Sequence, residues 1–281
     1  MNNAGKQLGT VGPWGRWRRH FRPANLRIYA FRALVRFLAG PARRLDEGRT
    51  KQLIRYFILS FQNSLPTELA VNRGDTVIQI GTPWPRTLRR FRRAVGDTGR
   101  LIIFEAEPRN HARLKEAIEA DGMENVELIL AAAWSVDATG QLHLSPHAGD
   151  HKVQADGITM DNDLRPENDY AEKIEVDFRT IDSVLKDLGV NHVDYISVTV
   201  NGAELEVLKG ARETLVRSRP IRVFSKGHAL TEAGVPLHTE IRVYLEGLGL
   251  NTKISRGELS AATQGGWGRR GGDIYGWAGM N

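Results

Sequence analysis

The chain has 281 residues, 41% of them hydrophobic and 26% charged, and contains no cysteine. That length suits one large α/β domain or two small ones and can bury a sizeable core. The missing cysteines exclude disulfide scaffolds, thiolate zinc sites and cysteine nucleophiles, and the apolar content excludes a disordered chain. No apolar run approaches the ~18 residues needed to cross a bilayer, and the N-terminus lacks the apolar core and cleavage site of a secretory signal. The expected location is therefore cytoplasmic, with peripheral attachment at the inner face of the membrane left open.

The formal net charge of +6 conceals a split. Residues 1–60 carry 13 Lys and Arg against only Asp46 and Glu47, a net of +11, which leaves −5 for the rest. A basic arm of this kind suits a polyanion, either an anionic membrane surface or nucleic acid, or merely keeps the chain soluble. The mildly acidic body makes nucleic acid the weaker of those partners.

In chain order, residues 1–23 read as a loose Gly-, Pro- and Arg-rich arm holding Trp14 and Trp17. Asn25 caps a helix that Gly40-Pro41 stops, with Ile28, Phe31, Leu34, Val35 and Leu38 at helical spacing. Leu53, Ile54, Phe57, Ile58 and Phe61 form a second amphipathic helix. From Arg73 the punctuation becomes that of alternating strands and helices. Thr76–Ile80 is a buried strand, Arg86–Val95 a helix, Arg100–Glu105 a strand, Pro108 to about Ala120 a helix, and Val126–Ala131 a third strand. Residues 137–172 read as a polar insertion or lid, with one short strand at Gln141–Leu144. The alternation resumes with a strand at Ile174–Phe178, a helix capped by Thr180 or Asp182, and a strand at Tyr195–Val200. A helix over Ala203–Val216, a strand at Ile221–Phe224 and a helix over Leu237–Leu248 come next. Leu250–Ile254 and Asp273–Trp277 close the chain as two strands. This order predicts a mostly parallel, doubly wound sheet with an antiparallel C-terminal strand. Residues 1–70 form the basic arm and helices, and residues 71–281 one Rossmann-like domain.

In such a sheet, ligands bind beyond the carboxyl ends of the strands, where the strand order reverses. The first strand ends in Gly81-Thr82, and the second in Glu105, about 24 residues after Gly81. A glycine lets backbone and ligand approach closely, and a carboxylate accepts from both hydroxyls of a ribose. Together they suggest a cofactor that contains adenosine. His143, His147 and His151 recur at metal-ligand spacing, but Pro146 and Gly149 break the helix they would need, so no metal is expected. Arg86, Arg89, Arg90, Arg92 and Arg93 give the first helix either a solvated face or a face for an anionic ligand or lipid surface.

Several segments carry a family resemblance: Phe104-Glu105-Ala106-Glu107-Pro108-Arg109-Asn110, Leu114-Lys115-Glu116-Ala117, Asn125-Val126-Glu127-Leu128, Thr180-Ile181-Asp182 and Val193-Asp194-Tyr195-Ile196. The most specific is Asn201-Gly202-Ala203-Glu204-Leu205-Glu206-Val207-Leu208-Lys209-Gly210-Ala211. In this order, between about Arg73 and His228, the chain resembles the FkbM family of S-adenosylmethionine-dependent methyltransferases. The resemblance implies a class I methyltransferase sheet, with the cofactor over Gly81 and Thr82, its ribose on Glu105 and its adenine near Ala132 and Ala133. It also implies O-methylation of a sugar or small-metabolite hydroxyl. The chain departs from the family at two motifs. Where the family reads Asp-x-Gly-Ala-Asn-x-Gly, the chain has Gln79, Gly81, Thr82, Pro83 and Pro85; where it reads Lys-Ile-Asp-x-Glu-Gly, the chain has Ser197-Val198-Thr199-Val200-Asn201-Gly202. Methyl transfer to a hydroxyl needs alignment and a proton acceptor, and Glu204 and His228 are the candidates for that base. The alternative is a degenerate member acting as a membrane-peripheral binding or scaffold module. A nicotinamide dehydrogenase is disfavoured, because the Gly-x-Gly-x-x-Gly loop is absent.

Overall fold

The computed structural model describes residues 70–146, 149, 151–153, 158–159, 172–227, 229–231, 233, 235–255 and 273–279. All lie in the compact unit Leu69–Asn281. The basic arm and the two helices expected before residue 70 fall outside the described residues, as do His147 and His228. No described helix is long and apolar enough to cross a membrane.

Seven strands build the central sheet. β1 (Thr76–Ile80), β2 (Arg100–Glu105) and β3 (Val126–Leu130) lie side by side, joined by α1 (Pro85–Val95) and α2 (Pro108–Ala120). On the other side of β1 come β9 (Tyr195–Val198), β10 (Ile221–Ser225), β13 (Asp273–Ala278) and β12 (Asn251–Ser255). The order β12-β13-β10-β9-β1-β2-β3 reverses between β1 and β9. All pairs from β3 to β10 are parallel. β13 runs antiparallel to both β10 and β12, so β12 is parallel to the first five strands. This is the expected Rossmann-like, mostly parallel sheet with an antiparallel C-terminal strand. Its central strands are apolar on both faces because helices cover both: Ile78, Ile102, Ile103 and Ile196 are fully buried.

The insertion corrects the sequence reading. β5 (Ala138–Leu144) is a full strand that pairs antiparallel with β8 (Glu172–Arg179) along its whole length. With β4 (Ala132–Ala133) and β6 (Lys152–Val153) they make a second sheet in the order β4-β8-β5-β6. The strand expected to resume the main sheet at 174–178 therefore belongs elsewhere. The physical sign was its alternation: Ile174, Val176 and Phe178 interleave with charged residues, the pattern of a strand with one wet face. Its apolar face packs with Trp134, Leu142 and Leu144, and the Phe178 ring fills the space that a Cβ at Gly140 would need. Two further short strands, β7 (Ile158–Thr159) and β11 (Leu230–Thr231), pair with each other.

The helix expected over 203–216 is likewise two, α4 (Glu204–Lys209) and α5 (Arg212–Arg217). Gly210 lies so close to the Trp134 carbonyl that no side chain fits between them. Asp182 then accepts hydrogen bonds from the N–H groups of Glu213 (2.8 Å) and Thr214 (2.9 Å), capping α5 from outside. Thr180, not Asp182, caps α3 (Ile181–Asp187), accepting from Ser183 N. α6 (Leu237–Gly247) covers the far side of the sheet through Leu237, Ile241 and Leu245.

A buried ion pair fastens the entry to β1. Arg222 of β10 donates to Asp75 (2.8 Å) and to the Ala70 carbonyl (2.6 Å), and both side chains are nearly buried. Removing one partner leaves the other charge buried and unpaired, a loss of about 3–5 kcal/mol. Arg222→Ala is thus expected to lower the urea midpoint sharply, and the double change Asp75→Asn with Arg222→Met much less. Equal losses in the two variants would show that the pair is not what fastens this corner.

Candidate functional site

Register brings the site together. Ile80 lies opposite both Phe104 and Val198, so the next residues of three strands, Gly81, Glu105 and Thr199, emerge side by side where the strand order reverses. Gly81 N donates to the Phe104 carbonyl (3.3 Å) and Thr199 N to the Ile80 carbonyl (3.0 Å). Gly81 has a φ of +76°, and a Cβ there would lie 2.8 Å from the Thr199 carbonyl oxygen. The glycine is therefore required by strand packing even before any ligand is considered.

Beneath it lies a neutral pair. Gln79 is 1% exposed; its Nε2 donates to the Ile80 carbonyl (3.0 Å) and to Thr199 Oγ1 (3.0 Å). The Thr199 hydroxyl lies 2.9 Å from the Ile80 carbonyl and 2.8 Å from that of Gly81, and has one proton to donate between them. The two positions where the family motifs carry aspartate thus touch each other, as amide and hydroxyl. Two buried oxygens nearby, Gln79 Oε1 and Thr82 Oγ1, have no hydrogen-bond partner. The Pro83-Trp84-Pro85 loop offers few donors of its own, since proline has no N–H and Gly81 N is already used. Asn201, at the third replaced acid, donates from Nδ2 to the carbonyls of Gly149 (3.3 Å) and His151 (3.1 Å). It ties the β5–β6 connection to the end of β9.

Glu105 is 8% exposed. Burial pushes its carboxyl up to about 7, against the hydrogen bond that it accepts from Glu107 N (3.0 Å) and with a further push from the Glu107 charge. Glu107 goes the other way. Burial raises it, but the Arg109 guanidinium and the N–H groups of Asn110 and Arg109 outweigh that and hold it below the usual carboxylate range. As N-cap of α2, Glu107 is structural.

Gly81, Glu105, Ala132 and Ala133 line one cleft, together with Phe104, Ala106, Trp134, Asn201 and Ala203. Thr82 is buried between the lining residues Gly81 and Pro83. Glu204 is 2% exposed, at the start of α4 beside Ala203, and is not part of the cleft wall. His228 falls outside the described residues. The sequence reading did not place His151 or Lys152 in a cleft, because nothing local showed that β5–β6 pairing would fold them over the strand ends. His151 Nδ1 accepts from Ser145 N (3.0 Å), so the neutral ring carries its proton on Nε2. Among the described residues no group of His, Asp and Glu is arranged to hold a metal.

The family described as "Methyltransferase FkbM domain" matches residues 68–251. The 2-O-methyltransferase NoeI of Sinorhizobium fredii is 28% identical over 171 residues, 57% of this chain and 67% of that protein. Among solved structures, a SAM-dependent methyltransferase from Aquifex aeolicus covers 87% of this chain and 96% of its own, at 16% identity and a TM-score of 0.40. Aeropyrum pernix fibrillarin covers 79% and 74%, at 16% identity and a TM-score of 0.47.

The raised Glu105 carboxyl has a consequence for stability. The folded chain holds a proton that the unfolded chain releases between the ordinary value of 4.5 and about 7. Stability from this group is therefore complete below about pH 4.5 and is lost as pH rises through 7, a cost on the order of 3 kcal/mol when fully ionised. Without ligand, Glu105→Gln is expected to melt higher than wild type at pH 8 and about equally at pH 5. Identical melting of the two proteins at pH 8 would contradict the burial of this charge.

Proposed function

Because the chain belongs to the methyltransferase FkbM family, whose match spans residues 68–251, we propose that it methylates a hydroxyl of a sugar or small metabolite. The observation that carries this reading is the meeting of Gly81, Glu105, Ala132 and Ala133 in one cleft at the strand-order reversal. Those residues fit the adenosine half of S-adenosylmethionine. Glu105 accepts from the ribose hydroxyls, and Ala132 and Ala133 are the small wall residues beside which the base would lie. Gln79 Oε1 and Thr82 Oγ1, both buried without donors, suit an ammonium group at the other end. The likeness to a 2-O-methyltransferase supports oxygen as the atom methylated.

S-adenosylmethionine supplies a methyl group that is already activated, so the protein has only to align the acceptor and take its proton. His151 lines the cleft with its Nδ1 held by Ser145 N. The proton goes to His228 or Glu204; for Glu204, buried beside Ala203, this requires the first turn of α4 to open. Residues 1–70 are read as a basic arm that meets an anionic membrane surface, and residues 71–281 as the catalytic domain.

A second reading is favoured by one observation, the neutral Gln79–Thr199 pair. A cleft without those acids serves a degenerate, non-catalytic member that binds or scaffolds. Calorimetric titration with S-adenosylmethionine and S-adenosylhomocysteine decides between them when combined with a methyl-transfer assay. Binding with transfer supports the enzyme, binding without transfer the degenerate member, and no binding of either compound sinks the cofactor site.

The ribose contact carries a pH signature. Ligand hydroxyls donate to the ionised carboxylate, so affinity rises as Glu105 ionises through about 7. Between pH 6 and 8 the ionised fraction grows about tenfold, and affinity is expected to rise with it, with proton release on binding. Glu105→Ala should weaken binding by at least about tenfold, from two charge-assisted hydrogen bonds, and Glu105→Gln should abolish the pH dependence. A flat profile in wild type would remove Glu105 from the ribose.

A further inference from the structure

The cofactor reading uses the inner wall of the cleft and leaves its rim without a role. There the β1–α1 connection, Pro83-Trp84-Pro85, meets the β5–β6 connection at Gly149. A Cβ built on Gly149 would lie 3.7 Å from Trp84 Nε1, 3.8 Å from Trp84 Cζ2 and 3.9 Å from Pro83 Cγ. Pro83 and Gly149 both line the cleft, so the indole edge touches its wall from just outside. Trp84 is 50% exposed, yet its backbone has little freedom. Buried Pro83 precedes it, and Pro85 opens α1 behind it. A residue before proline is held in extended backbone, and Trp84 has φ −109° and ψ 119°. Its carbonyl accepts from Thr87 N (2.9 Å) and Leu88 N (3.3 Å). The indole N–H donates to none of the described residues. On the wall beside Gly149 stands Asn201, whose Nδ2 donates to the Gly149 and His151 carbonyls. Carbonyls only accept, so the amide nitrogen has to face them, and Oδ1 is left as an acceptor.

We propose that Trp84 is the platform of an acceptor subsite, where one C–H face of a pyranose ring stacks on the indole while a hydroxyl of that ring enters the cleft. The proposal rests on the methyltransferase reading, which gives the inner wall to adenosine and leaves the acceptor without a place. A pyranose chair is apolar across its faces and polar around its edge. The indole offers an apolar surface to the first; the indole N–H and Asn201 Oδ1 offer a donor and an acceptor to the second. Small-molecule sites combine aromatic surface with a few placed polar groups in this way. A simple phenol would also stack, but its one hydroxyl is the group to be methylated, which leaves both polar groups unanswered. The subsite is a property of this chain. Where the FkbM motif has Asn-x-Gly, Pro83 and Pro85 stand instead, and the two prolines that withhold backbone donors also fix the tryptophan between them. A side chain held in place before binding loses less entropy when a ligand arrives.

The test uses the full chain saturated with S-adenosylhomocysteine and reads saturation-transfer NMR with methyl glucopyranoside, methyl galactopyranoside and methyl mannopyranoside. Wild type is expected to pass saturation to the C–H protons of one ring face in at least one of these sugars. Trp84→Leu keeps apolar bulk without the ring and should bind that sugar about tenfold more weakly, the size of one lost aromatic stack. Trp84→Phe keeps a ring and should retain most of the affinity. Because the side chain stands outside the wall given to adenosine, both variants should melt with wild type and bind S-adenosylhomocysteine with unchanged affinity. Transfer to none of the three sugars would overturn the proposal, as would equal sugar binding by wild type and Trp84→Leu. Stronger transfer to phenol than to any sugar would assign Trp84 to a planar acceptor and overturn the pyranose. Failure of S-adenosylhomocysteine to bind would count against the cofactor reading alone, and the sugar series repeated without it would still decide the role of Trp84.

Discussion

The site depends on one constraint, the in-register parallel pairing of β1 with a neighbour on each side. Because Ile80 stands level with Phe104 and with Val198, three chains leave the sheet at the same height. The residues just beyond the strands are thereby forced into contact. Gly81 has to be glycine there since the Thr199 carbonyl occupies the place of a side chain. The second sheet supplies the opposite wall, where Asn201 grips the Gly149 and His151 carbonyls from the end of β9. Cleft and fold are thus the same set of hydrogen bonds seen from two sides.

Two carboxylates two residues apart show how environment divides labour. Glu107 faces the first turn of α2, where N–H groups and Arg109 keep it ionised, and it contributes to the fold as a cap. Glu105 faces the cleft and is left with burial as its largest influence. A fold optimised only for stability would not place an acid there, because the charge opposes folding whenever it forms without a ligand. An unfavourable group in a cleft is a reason to look for a ligand that relieves it.

Much of this was legible in the residues. The central strands announced themselves as β-branched apolar runs, and β2 and α2 have the bounds that the sequence suggests, since Gly-rich turns and Pro108 mark them sharply. Glu105 could be singled out because it stands at the carboxyl end of a parallel strand, and Ala132 and Ala133 only through the family resemblance; the structure puts all three in the wall of one cleft. The second sheet was hidden, for the pairing of β5 with β8 joins segments some thirty residues apart and leaves no local mark beyond alternation. The break between α4 and α5 was hidden for the same reason. It is imposed by the Trp134 carbonyl and by Asp182, neither of them near in sequence. His151 looked like part of a metal-ligand repeat, whereas the fold makes it a wall of the cleft.

The neutral floor of the cleft arises from the same crowding. A carboxylate about 4 Å from a bound cation would contribute about 4 kcal/mol at an effective dielectric constant of 20, so aspartates at 79 and 199 would favour a sulfonium. Yet Thr199 Oγ1 lies 3.0 Å from Gln79 Nε2 and about as close to two carbonyl oxygens. Two acids in those places would repel each other and the carbonyls by a similar amount until a ligand arrived. Amide and hydroxyl relieve that repulsion: Gln79 Nε2 donates to the Ile80 carbonyl and to Thr199 Oγ1, and the one Thr199 proton goes to either of its two carbonyl neighbours, which holds the strand ends together. The electrostatic preference for a cation is given up in exchange. On the proposed reading, affinity for the cofactor then comes from what remains, the Glu105 carboxylate and the two buried oxygens of Gln79 and Thr82.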